Sequence, residues 1–147
     1  MRKNTKLRLL APFILVGALL AQAPVADAPI TAQPIANMKE LMVDLIFPTS
    51  NAIFYVREGP TNGKEWDELV LNALTMAEAG NLLMQDIRAR DKDRWMKDAK
   101  LLLDCGRKAY RAAKAKDVPA ILALNDELYE ACQSCHEHYR PGYRRRP

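Results

Sequence analysis

A chain of 147 residues, 49% hydrophobic and 27% charged, has the make-up of one globular domain, which excludes wholesale disorder. Its 6 Gly against 9 Pro speak against a sandwich or barrel of many tight turns, and 3 Cys are too few for a disulfide-stapled mini-domain. The net charge of +4 sits at the ends: without Arg2, Lys3, Lys6, Arg8, Arg140, Arg144, Arg145 and Arg146, 14 basic face 18 acidic residues, which leaves no basic face for nucleic acid.

In chain order, Arg2 to Arg8 form a positive n-region, and residues 9–21 form an apolar stretch of signal-peptide length. That stretch is shorter than the ~20 apolar residues of a spanning helix. Small-residue cleavage sites follow at Ala21-Gln22-Ala23 and Ala26-Asp27-Ala28, although Pro24 and Pro29 directly after them are poor neighbours for a scissile bond. Residues 1–28 are therefore read as an export signal, with an uncleaved N-terminal membrane anchor as the alternative. No Arg-Arg pair precedes the apolar run, which favours general secretion and a periplasmic destination. Residues 29–34 read as a linker.

Four helical patterns follow. The first spans about 35–57, with Met38, Leu41, Met42, Leu45 and Ile46 at helical spacing. Pro48 interrupts it, giving two shorter helices or one kinked helix. Residues 58–63 (EGPTNG) are a turn. The second pattern spans about 64–90 through Trp66, Leu69, Val70, Ala73, Met76, Ala77, Leu83 and Ile87. The third spans about 91–116 through Trp95, Ala99, Leu102, Cys105, Ala109 and Ala112, with Asp91 as N-cap and lysines in its last turn. Asp117-Val118-Pro119 breaks it and starts the fourth, which runs to about 139 through Ile121, Leu122, Leu124, Leu128, Ala131 and Cys135. Residues 141–147 are a basic tail. Four helices with short links predict an all-α, antiparallel up-down-up-down bundle over residues 35–140.

Cys132-Gln133-Ser134-Cys135-His136 is the most specific signal in the chain. A C-x-x-C-H run in an exported protein reads as a covalent haem attachment site. Residues three apart share a helix face, so both sulfurs can reach the two vinyl groups on one side of a porphyrin, and the next residue can offer its imidazole to the iron. Three readings compete. A thioredoxin-type pair needs a βαβ context that is missing here. A zinc site needs a fourth ligand, and His138 points elsewhere on a helix from His136. A disulfide between Cys132 and Cys135 is sterically awkward within a helix and leaves His136 unexplained.

The run Cys132-Gln133-Ser134-Cys135-His136-Glu137-His138-Tyr139-Arg140 resembles the C-x-x-C-H-x-x-[FY]-R ending of the cytochrome c′ family, exported four-helix bundles with one haem near the C-terminus of the last helix. Helix number, helix length and motif position extend the likeness from about Met38 to Arg140. Residues 38–42 (MKELM) with Pro48, and 77–84 (AEAGNLLM), also resemble a c′-related bacterial subgroup.

The resemblance implies haem c held by Cys132 and Cys135, with His136 as proximal ligand to the iron. It also implies that the first helix forms the distal side. A thioether there gives six-coordinate iron suited to electron transfer, whereas an aliphatic residue leaves an open position for small gases such as nitric oxide or carbon monoxide. Met42, deeper in the apolar pattern, is the expected distal ligand, and Met38 is the fallback. Methionine is also a common core filler, the ordinary reading for Met76, Met84 and Met96. The implied partners are redox proteins, a homodimer through the first two helices is allowed, and no enzymatic activity is expected.

Other residues have mainly structural readings. Cys105 is a buried free thiol, with an intermolecular bridge as the alternative. Trp66 and Trp95 are bundle core or haem-flanking residues, and Tyr139 packs on the proximal side. His138 is solvated at the helix end, and residues 91–94 (DKDR) form a solvated corner. Arg140 is a candidate to stack near the proximal imidazole or to pair with a haem propionate, against the plain reading of a helix C-terminal cation.

Overall fold

The fold follows from a computed structural model that describes residues 31–140 and 142–143. The export signal and most of the basic tail lie outside the described residues. The elements described belong to the unit Gln33–Pro147 and are all helical: no strand occurs among the described residues.

The first helical run begins at α1 (Met38–Glu40), passes through a π-helical stretch (Leu41–Ile46) and continues as α2 (Phe47–Phe54). Asn37 caps it in a reciprocal box: its Oδ1 accepts from the Glu40 amide at 3.0 Å, while Glu40 Oε2 accepts from the Asn37 amide at 2.8 Å. Pro48 does not end the helix. It carries no amide hydrogen, and its ring would crowd the Asp44 carbonyl of a regular α-turn. The wider π stretch just before it absorbs that conflict, with the Phe47 amide reaching back to the Met42 carbonyl. The Thr49 hydroxyl donates to the carbonyls of Leu45 (2.8 Å) and Ile46 (3.1 Å), two backbone acceptors close to the distortion.

Helix α3 (Gly63–Leu83) is capped by Asn62, whose Oδ1 accepts from the Glu65 amide at 3.1 Å. It buries Leu69, Ala73, Met76, Ala77, Gly80 and Leu83 along one stripe. It stops seven residues before the predicted end at 90. The Trp95 indole donates to the Leu83 carbonyl at 2.7 Å, taking the acceptor that Ile87 would need to continue the helix. Ile87, predicted to be apolar lining, is consequently 62% exposed.

Helix α4 (Arg94–Ala115) begins three residues later than expected. Asp91 still serves its first turn, accepting from the amides of Asp93 and Trp95 at 3.0 Å each. Lys116 ends α4 in the left-handed region at φ 56°, with the Asp117 amide bonded back to Ala112 at 2.9 Å. The predicted fourth helix is two pieces, α5 (Val118–Leu122) and α6 (Asn125–Tyr139). Asp117 caps α5 as expected, its Oδ1 accepting from the Ala120 amide at 3.0 Å. Between the pieces the Leu124 amide bonds back only three residues, to Ile121, and this tight turn buries both side chains.

Helices α3 and α4 approach closely because glycine stands where they touch. A Cβ on Gly106 would lie 2.6 Å from the Ala77 nitrogen, and one on Gly80 would lie 2.8 Å from Leu103 Cα. Backbone cannot yield as a side chain can. Gly106→Val is therefore expected to destabilise the protein by about 1–3 kcal/mol, read as a lowered melting temperature by circular dichroism. The contacts pair α3 with α4 and the first helix, and α4 with α6. Among the described residues no helix is long and apolar enough to cross a membrane.

Candidate functional site

Helix α6 carries the C-x-x-C-H run. Cys132, Cys135 and His136 are half-buried, and both cysteines are free thiols. They share one cavity of about 40 Å³ with Met42 and Ile46 of the π stretch, Leu83 of α3 and the α4 face at Asp98, Ala99 and Leu102. The lining is almost wholly apolar apart from Asp98 and the motif itself. The first helix packs mainly on α3 and α6 mainly on α4, so the cavity lies along the seam between these pairs. Met42 reaches it. Met38, one turn earlier and half-buried, packs on the core but does not line the cavity.

Burial sets the protonation of the motif. It pushes both the Cys132 and Cys135 thiols up to about 11, with the Asp98 charge adding to the effect at Cys135. Burial and then the nearby Arg140 charge lower His136 below the usual imidazole range, which favours the neutral ring with a free lone pair. Arg140 itself is exposed, and its guanidinium lies 5.8 Å from the centre of the Tyr143 ring. Tyr143, which sequence reading passed over, brings its ring to 5.5 Å from that of His136.

Asp98 was also missed. It is buried, and its Oδ1 accepts from the Ser134 hydroxyl at 2.7 Å, between the two cysteines. The signal was available: Asp98 falls among Trp95, Ala99, Leu102 and Cys105 on the apolar stripe of α4, where a carboxylate is out of place.

The solvated corner at 91–94 holds for Lys92, Asp93 and Arg94, which are exposed; Asp91 is half-buried and accepts the Tyr139 hydroxyl, and Arg94 also pairs with the buried Asp98. Tyr139 packs edge-on against Trp95, ring centres 4.9 Å apart, and burial with the Asp91 contact pushes its hydroxyl up to about 12. Trp95 is core, and Trp66 is half-buried against it. Cys105 is fully buried with its thiol pushed up to about 12. That burial leaves the reading of an intermolecular bridge without an accessible sulfur. His138 is exposed, its Nδ1 2.9 Å from the Ser134 carbonyl oxygen.

A larger groove, about 500 Å³, is lined by Tyr55, Val56, Arg57, Glu65 and Glu68 but is open to solvent and contains none of the motif residues. Among the described residues no group of three or more His, Cys, Asp or Glu side chains is placed to hold a bare metal ion. No protein-family model, curated protein or solved structure matches the chain.

Proposed function

We propose that this chain is an exported, periplasmic monohaem c-type cytochrome of the cytochrome c′ kind, an up-down-up-down bundle that passes single electrons between redox protein partners. The observation that carries the reading is the meeting of Cys132, Cys135 and His136 with Met42 around one apolar cavity. A haem bound there would supply a one-electron couple at its iron.

The chain's own residues fit that group in their chemistry. Two thiols one turn apart would offer the thioether bonds, the neutral His136 ring a nitrogen, and Met42 of the first helical run a sulfur. Ile46, Leu83, Ala99 and Leu102 exclude water. At about 40 Å³ the cavity is well below the roughly 300–1,000 Å³ of ordinary cofactor sites. The seam between the first helix and α6 therefore has to widen to admit a porphyrin. With His136 and Met42 both holding the iron, no place would be left on it for a substrate, so the reading assigns no catalysis.

A second reading, a five-coordinate haem that binds nitric oxide or carbon monoxide, is supported by Ile46 and Leu83. These aliphatic side chains share the cavity with Met42 and offer the iron no ligand. A homodimer through the first two helices is supported by Val43 and Phe47, one turn apart, and by Leu71 and Leu74 of α3, all exposed and apolar.

The thiol count gives a direct test. Full-length chain matured in a periplasm and then unfolded should expose one alkylatable cysteine, Cys105, and gain the mass of one haem. Three alkylatable cysteines without added mass would refute the reading.

A further inference from the structure

We infer that Asp98, with Arg94 outside it, sets the reduction potential of the iron at this site. The inference rests on the haem reading above. Asp98 is only 3% exposed and lines the same cavity as His136 and Met42. Its Oδ1 is held by the Ser134 hydroxyl at 2.7 Å, which fixes the carboxylate against the attachment turn. Its Oδ2 is buried and accepts no hydrogen bond. The nearest counter-charge, Arg94 Nε, stands 3.7 Å from Oδ2 on a side chain that is 50% exposed. The pair therefore presents its negative end to the protein interior and its positive end to water.

Packing gives no reason for this arrangement, because a carboxylate oxygen without a hydrogen bond in an apolar wall is a cost. A fixed negative charge beside a redox metal is a function for it. Oxidised iron carries one more positive charge than reduced iron, so Asp98 stabilises the oxidised form and lowers the potential. Arg94 opposes this, and more weakly, since its charge is half in solvent and screened.

The test is a spectroelectrochemical titration of full-length, periplasmically matured protein in three forms: wild type, Asp98→Asn and Arg94→Gln. Asparagine keeps an oxygen for Ser134 while removing the charge. The potential should rise in Asp98→Asn and fall, by less, in Arg94→Gln. Opposite signs are the signature, because a merely structural role would move both variants the same way or neither. Unchanged potentials, or shifts of the same sign, overturn the inference. If Asp98→Asn fails to fold or to retain haem, Arg94→Gln decides alone: a fall supports the inference, and no change or a rise overturns it. Haem staining of the denatured wild type separates the two failures. No stain removes the cytochrome reading and this inference with it, whereas stain with unmoved potentials removes this inference only.

Discussion

Replacing both Cys132 and Cys135 by serine is expected to abolish haem that survives denaturation. On a denaturing gel stained for haem peroxidase activity, periplasmically matured wild type should stain, each single serine variant should stain weakly through its remaining thioether, and the double variant should be blank. Serine is close to cysteine in size, and both positions are only half-buried, so the fold should persist and the loss should report chemistry alone. Cys105→Ser is the control. Its sulfur is fully buried and outside the lining of the cavity, so that variant should stain like wild type. A double variant that still stained would show that some other group holds the haem. The expectation follows from the helix itself: with a three-residue spacing, α6 turns both sulfurs to one side, and a shorter or longer spacing would turn them apart.

The second large effect concerns Met42. In oxidised wild type, a low-spin spectrum with a weak far-red sulfur-to-iron band is expected. Met42→Leu should remove that band, convert the iron to high spin, admit carbon monoxide and lower the reduction potential, because a thioether favours the reduced iron. Leucine conserves volume at a cost below about 1.5 kcal/mol, so loss of the sulfur is separated from loss of the fold. Met38→Leu should change none of these, since Met38 lies outside the cavity. A wild type that is already high-spin and binds carbon monoxide would instead support the gas-binding reading. The two methionines stand one turn apart with the same side chain. Position alone distinguishes them: Met42 falls in the π stretch and lines the cavity with Cys132, Cys135 and His136, whereas Met38 falls in the capped turn before it.

The helical period, the turn at 58–63, the Asp117 cap and the C-x-x-C-H run on the last helix could all be read without a structure. Each depends on neighbours within a turn or two, and such neighbours are adjacent in the chain. Pro48 announced an irregularity but not its form. Here the helix widens rather than breaks, with the Phe47 amide reaching back five residues to the Met42 carbonyl just before the proline.

Other features were invisible because their causes are remote in sequence. Helix α3 ends where it does because an indole twelve residues on takes the Leu83 carbonyl. Asp91 is drawn from a polar corner by a tyrosine 48 residues away, and Asp98 is held beside the C-x-x-C-H run by a serine 36 residues away. The amino-acid order alone determined that the chain is helical and that its most specific motif is a run of five residues near the end. Tertiary packing decided which methionine faces them, how small the cavity is and which carboxylate stands in its wall. Periodicity shows that a face is apolar, but only the opposing helix determines what that face meets.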